Sequence, residues 1–334
     1  MTFYILDHQF LPTPYNFRFT VEKFAAGFGH QGWDVRVVKR IGQIREPGVV
    51  MLADHDCFHG WADGPLEPLF GRIPAIRPRT KLTSRPGAYS QRRALGALAR
   101  HLRDRPEIVV IAWLWHPHKA LFDELGIRVI FTGECCWGEP KSPARRGWRE
   151  FSKQHRNALS LEFGAPVDPK RIGEGCKNDA IDCSYVGSSA YRLDWQEHFR
   201  ADARNRIVGT PPWIDEAERV DILRSSKIVL GLHQPENVDD CLPVERVYEA
   251  PAYGAVLITD NPWAVDATDG VAQYAEDLDR ARELAGRYLS SDEERAALRE
   301  RGFEFARRRG TYSHRAAEFI ALREKLLADE LVAA

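Results

Sequence analysis

The densest group of side chains able to do chemistry lies in residues 226–260, SKIVLGLHQPENVDDCLPVERVYEAPAYGAVLITD. Within it, 233–240 carries His233, Gln234, Glu236, Asn237, Asp239 and Asp240, a run too polar for a core connection and longer than a plain strand-to-helix turn requires. Glu245, Arg246 and Glu249 follow at helical spacing, so Glu249 shares a face with both of the others. Outside this stretch, WLWHPHK supplies two imidazoles, His116 and His118, and LDHQFLPTPYNFR supplies Asp7 and His8. These four are the candidates for proton transfer near neutral pH. Tyr15 and Asn16 are candidate hydrogen-bonding partners for an acceptor's hydroxyl groups.

Those side chains need a scaffold, and the apolar pattern describes one. Residues 227–232 and 255–259 are β-branched runs of strand length, each bounded by Gly, Pro or acidic residues. Between them a helix is expected from about Pro243, a residue suited to a first helical position, to Gly254, a natural left-handed cap. Pro251 inside that helix removes the bond to Val247 and is expected to kink or shorten it. Toward the N-terminus, strands at 3–6, 34–38, 49–53, 108–115 and 127–131 alternate with helices at 19–28 and 119–125. Repeated strand-helix-strand units imply a parallel sheet whose carboxyl ends bind ligands, which directs attention to the loops 7–16, 54–60, 116–119 and 132–138. Further on, a strand at 181–186 leads into Gly187, Ser188 and Ser189, small residues whose amides can approach a phosphate at a helix N-terminus. A strand at 206–208 precedes Pro211, Pro212 and Trp213, where a base or sugar would stack. Residues 277–309 read as helical, with Ser291 capping an acidic first turn, and Tyr312 heads a last helix. The fold class expected is α/β, with two doubly wound, Rossmann-like domains. The break of periodicity over 161–179, rich in Gly and Pro, separates a domain at 1–160 from one at 180–310, followed by 311–334.

Composition narrows the function classes. The 334 residues hold 47 Lys and Arg against 48 Asp and Glu, so no global field draws the chain to nucleic acid or an anionic membrane. Basic, aromatic-containing stretches at 77–93 and 141–156 read as a solvated face, or as a docking surface for an anionic glycan or lipid-linked phosphate. Cys57, Cys135, Cys136, Cys176, Cys183 and Cys241 form no CxxC pair, which fits reduced thiols in a cytoplasmic protein. The polar cluster at 54–56 with His59 reads as turn formers rather than a metal site, and no apolar run reaches the ~20 residues of a membrane span.

The segment ERVYEAPAYGAVLITD resembles the Arg-x-x-Glu-Ala-x-Ala-x-Gly segment of glycosyltransferases with the two-domain GT-B architecture, most closely the CgeB-like group. CSYVGSS at 183–189, SKIVLGL at 226–232 and GTYSHRAAEF at 310–319 agree in order and spacing, so the resemblance covers roughly the second half of the chain. It implies transfer of a sugar from a nucleoside-diphosphate-sugar donor to a hydroxyl acceptor (a glycan, a lipid-linked group or a small molecule), with no metal and no cofactor beyond the co-substrate. It implies that 180–310 holds the donor, that Glu249 accepts from ribose hydroxyls, and that His116 or His118 contacts the donor sugar. The last helix is implied to pack back on the first domain. The family's diphosphate-holding Arg and Lys are displaced: Ser188 stands at the first position, leaving Arg192 and Lys227 as candidates. A second family glutamate, eight positions before Glu249, is Cys241, and its role passes to Glu236, Asp239 or Asp240 or is absent. The Glu249 segment favours retention of anomeric configuration; a base at Asp7 or His8 would reverse that. Two other classes stay open, a nucleotide-sugar epimerase on the same fold and a non-catalytic surface or assembly protein.

Overall fold

The computed structural model describes residues 1–8, 11, 15–53, 88–113, 116–188, 190–210 and 214–333. The expectations placed on 54–60, on most of 77–93, on Ser189 and on 211–213 lie outside them. The chain divides into two compact units, one of Met1–Glu134, Pro143–Leu161 and Ala316–Ala334, the other of Cys135–Ser142 and Glu162–Arg315.

In the first unit, β1 (Thr2–Leu6), β2 (Asp34–Val38), β3 (Gly48–Ala53), β4 (Ile108–Trp113), β5 (Val129–Glu134) and β6 (Ala158–Leu161) form a parallel sheet in the order β2-β1-β3-β4-β5-β6. Strands covered on both faces read as unbroken apolar runs, and every residue of β4, IVVIAW, is buried. The connecting helices are α1 (Tyr15–His30), α2 (Ala88–Leu102), α3 (Lys119–Leu125) and α4 (Pro143–Gln154). The strand expected at 127–131 starts instead at Val129. Gly126 ends α3 in the left-handed region (φ 64°), and the Ile127 N–H bonds back to Phe122 O, so Ile127 belongs to the helix cap.

In the second unit, β7 (Ile181–Ser188), α5 (Leu193–Arg200), β8 (Arg206–Thr210), α6 (Glu216–Ser225), β9 (Ser226–Gly231), α7 (Pro235–Asp239), α8 (Glu245–Ala252), β10 (Val256–Thr259), α9 (Trp263–Ala267) and β11 (Gln273–Tyr274) precede α10 (Leu278–Ser290) and α11 (Asp292–Arg308). The strands are again parallel, in the order β11-β10-β9-β7-β8. Ser291 caps α11 by accepting from Glu294 N, as the serine before an acidic turn predicts. The last helix, α12 (Tyr312–Ala333), begins here and ends in the first unit. There Phe319 meets Phe24 edge-on at 5.2 Å, and the buried Arg323 guanidinium donates to Gly48 O and lies over Trp33.

Three local expectations change in the tertiary context. Residues 233–240 are not a plain loop but enclose α7, and α8 starts at Glu245, two residues after the expected Pro243. Residues 162–179 are packed rather than loose: Ala165 exchanges backbone bonds with Gly310 and Tyr312, and Asn178 Nδ2 donates to Ser226 O and Tyr253 O. Pro251 lacks the N–H that would bond Val247 O and is the last residue but one of α8, so it shortens the helix rather than kinking it; Gly302 of α11 lies against its ring, where a Cβ would stand 3.2 Å from Pro251 Cβ.

Gly254 ends α8 at φ 79°, and a Cβ there would stand 2.7 Å from Asn178 Oδ1 and 2.8 Å from Phe303 Cζ. A left-handed L-residue costs about 1–2 kcal/mol before any crowding. Gly254→Ala is therefore expected to lower unfolding free energy by about 2 kcal/mol or more in denaturant titration. An unchanged midpoint and slope would show that the cap tolerates a side chain.

Candidate functional site

The second sheet reverses its order at β7, since the chain goes out to β8 and returns on the other side as β9. Crossovers diverge at such a point and leave a crevice at the carboxyl ends of the two strands. Gly187 and Ser188 end β7 there, and His233 follows β9.

The turn after β7 is held from beneath. Ser188 O accepts from Tyr185 Oη at 2.9 Å and from Gln196 Nε2 at 3.1 Å, and Gln196 Nε2 also donates to Tyr191 O. Gly187 must lack a side chain because a Cβ would lie 2.5 Å from Arg246 Nη2 and 2.6 Å from Tyr185 Oη. Ser188 Oγ closes the turn by accepting from Ala190 N. Arg192 then adopts the left-handed region (φ 51°) at the head of α5, with its guanidinium 5.6 Å above the ring of the buried Trp195.

Arg192 Nε donates to Asp260 Oδ2 at 2.9 Å, and the two side chains are 37% and 1% exposed. The same carboxylate accepts from His233 twice, from the backbone N–H at 3.0 Å and from Nδ1 at 2.9 Å. His233 Nε2 accepts from Val244 N at 3.3 Å, which assigns the ring as the Nδ1–H tautomer. Arg192, His233 and Asp260 thus form one network at the ends of β7, β9 and β10; Arg192 joins it through Nε, which leaves the Nη edge of a partly exposed side chain outside the network. Among the described residues, none takes a hydrogen bond from that edge.

The other expected donor-binding residues divide. Arg246 lies at this end but is committed internally: Nη1 donates to Leu232 O, Nη2 to Val186 O, and the group stacks over Tyr185 at 4.9 Å. It staples β7 to β9. Glu236 and Asn237 sit on α7, Glu236 exposed and Asn237 half-buried. Asp239 and Asp240 hold residues 135–142 of the same unit, with Lys141 Nζ on Asp239 at 2.6 Å and Ser142 N on Asp240 at 2.7 Å. Cys241, at φ 56°, accepts from Trp137 N through its carbonyl. Lys227 does not join the cluster. It stands at the start of β9 and binds Asp182 Oδ1 at 2.7 Å, the opposite end of the strand from His233. Five residues of strand separate them, roughly 17–20 Å.

Glu249 is buried rather than exposed on its helix, and both of its oxygens accept from the Arg219 guanidinium, whose Nη2 also reaches Glu216. Burial alone would lower the Arg219 pKa, but the two carboxylates raise it well above the ordinary value. Its carboxylate therefore anchors α8 to α6.

The proton-transfer candidates all belong to the first unit. Asp7 follows β1 and His8 forms an isolated bridge with Leu11; burial lowers the His8 pKa. His116 follows β4 in a short 3-10 turn and packs 5.2 Å from the ring of Trp148 and 5.5 Å from that of Phe151. Burial, with a smaller contribution from His118, lowers its pKa to about 4, so the imidazole is neutral at pH 7. His118 caps α3 without a side-chain bond to the helix. Tyr15 and Asn16 open α1. Glu134, buried at the end of β5 with Arg145 at 3.4 Å, was not singled out by sequence, nor were Asp260, Arg219 and Gln196. Asp260 had a usable signal, since it is the first polar residue after an apolar strand, as His233 is. Among the described residues no group of His, Cys, Asp and Glu is arranged to hold a metal ion, and no helix is long and apolar enough to cross a membrane.

Solved structures share this architecture along nearly the whole chain. An α,α-trehalose 6-phosphate synthase from Burkholderia multivorans matches at TM-score 0.54 and 12% identity, covering 99% of both chains. A UDP-forming α,α-trehalose-phosphate synthase from Burkholderia vietnamiensis matches at TM-score 0.54 and 12% identity over 98% of both. Another, from Burkholderia xenovorans in complex with glucose-6-phosphate, matches at 0.50 and 11%, covering 98% of this chain and 99% of that one. The fold is that of GT-B glycosyltransferases. Residues 171–321, a little under half of the chain, match the family model described as glycosyl transferase-like. No curated protein matches it.

Two outcomes are expected from this geometry. Arg219→Met strands the Glu249 carboxylate without its guanidinium and should cost about 3–5 kcal/mol, whereas Arg219→Met with Glu249→Leu should recover most of it. Equal losses in the single and double variants would show that the pair is not what anchors α8. For His116, a folded pKa of about 4 against 6.5 unfolded means the unfolded chain binds the extra proton in that window. Stability from this residue is full above about pH 6.5 and is lost as pH falls toward 4. His116→Phe should therefore lose less stability than the native protein between pH 7 and pH 5, read by denaturant titration; identical losses would mean that His116 does not titrate there.

Proposed function

We propose that this protein transfers a sugar from a nucleoside-diphosphate sugar to a hydroxyl acceptor, without a metal ion, and that it belongs with the CgeB-like group of GT-B enzymes. The second unit binds the donor and the first provides the acceptor-side residues. The observation that carries the reading is Arg192, a cation pinned through Nε beyond the carboxyl end of β7, with its side chain partly exposed. A guanidinium offers paired donors that match phosphate oxygens, and the head of α5 adds a favourable dipole. Gly187 and Ser188 line the approach, and His233 closes its far side.

A fixed cation and helix dipole stabilise the departing nucleoside diphosphate as its bond to the sugar breaks. His116, neutral and set among aromatic rings, is suited to hydrogen-bonding a sugar hydroxyl rather than to acting as a charged acid at pH 7. The Glu249 segment supports retention of anomeric configuration through its family resemblance. Its carboxylate contributes through α8, because Arg219 occupies both oxygens.

The test is a thermal-shift panel of UDP, GDP, ADP, CDP and dTDP with chelator present. A ligand at about a hundred times its Kd adds roughly 2.7 kcal/mol. One nucleotide should raise the melting temperature by several degrees, and Arg192→Ala should weaken its binding at least about tenfold in a titration made at a temperature where both proteins are folded. No shift with any of the five at millimolar concentration would sink the reading.

A further inference from the structure

We infer that Asp260 is the positioning residue of the donor site: its carboxylate sets the direction in which Arg192 presents its charge. The inference rests on the donor reading of that site. Asp260 is all but excluded from solvent, yet it sits at the end of β10 among three donor groups, the His233 backbone N–H and Nδ1 and Arg192 Nε. A carboxylate so placed cannot turn toward water, so the guanidinium bonded to it through Nε has one orientation, fixed from its other face by Trp195. Bonding through Nε leaves both Nη groups of this partly exposed side chain to take another partner as a pair. That is the edge a phosphate accepts from in bidentate fashion.

The residues beside Asp260 hold it in turn. Thr259 Oγ1 donates to Gly231 O at 2.7 Å, and Asn261 Nδ2 donates to Leu242 O at 3.1 Å while its Oδ1 accepts from Trp263 N. Residues 259–261 therefore tie the end of β10 to the end of β9 and to the approach to α8. A lysine in place of Arg192 would keep the charge but could not be aimed, since it has no nitrogen that holds Asp260 while two others face outward.

The experiment is a binding titration with whichever of UDP, GDP, ADP, CDP and dTDP stabilises the native protein most, and with the matching monophosphate. Arg192→Ala, Arg192→Lys, Asp260→Asn and the Arg192→Ala/Asp260→Asn double variant are compared. Asparagine has one acceptor oxygen, and its amide would face an N–H. Asp260→Asn should weaken the diphosphate by about tenfold to a hundredfold. The monophosphate should weaken less. Arg192→Lys should lose nearly as much as Arg192→Ala, and the Asp260 loss should vanish when Arg192 is already alanine. Lysine rescuing binding, or Asp260→Asn adding its full loss in the double variant, would overturn the positioning role while leaving the donor reading intact. Full affinity in Arg192→Ala would instead remove the phosphate clamp itself, and the donor reading with it. Should Asp260→Asn fail to fold, the lysine comparison, made at an exposed side chain, decides.

Discussion

A buried carboxylate is tolerated only where donors replace the water it has lost, and Asp260 meets that condition with groups from two distant parts of the chain. Arg192 and Asp260 are 68 positions apart, and His233 and Asp260 are 27 apart. The same group therefore joins the head of α5 and the ends of β9 and β10. Once it is in place, the imidazole tautomer of His233 follows, the first N–H of the approach to α8 has an acceptor, and the guanidinium has a direction.

Charge in the second unit is arranged by how many partners each cation has. Arg246 and Arg315 give their donors to backbone carbonyls, with Glu162 also on Arg315; Arg219 is held between Glu216 and Glu249; Lys227 and Arg204 share Asp182. These groups close strand ends and helix contacts, where the planar fork of arginine reaches several acceptors at once. Arg192 differs by having a single carboxylate on its inner nitrogen, which leaves charge facing outward. A near-zero net charge is thus compatible with a local anion site.

The two units use one topological device with different side chains. In the first sheet the order reverses at β1, between β2 and β3, and in the second at β7, between β8 and β9. Parallel strands carry every loop of interest to one edge in each case. The second unit fills that edge with charge, the first with aromatic rings around His116 and a buried Glu134–Arg145 pair. Burial in that aromatic setting keeps the imidazole neutral at physiological pH.

Most of the strands and helices were legible in the sequence because burial periodicity, helix caps and glycine turns act over a few residues. The run at 108–113, the left-handed cap at Gly254 and the Ser291 cap are such features. Sequence also set the polar stretch around His233 apart from a core connection, and the structure places His233 just after β9, at its carboxyl end. It determined less about partners. Whether Glu249 faces a ligand or Arg219, whether Arg246 is a binding group or a staple, and which end of a strand Lys227 occupies relative to the site all depend on pairing across the fold. The place of Asp260 after an apolar strand is legible, but its partner is not: Arg192, 68 positions away, meets it only in the fold. Local sequence set which segments become strands and helices, because those preferences are short-ranged; tertiary structure alone decided which charges meet, because a buried charge takes its partner from whatever chain the packing places within hydrogen-bond reach.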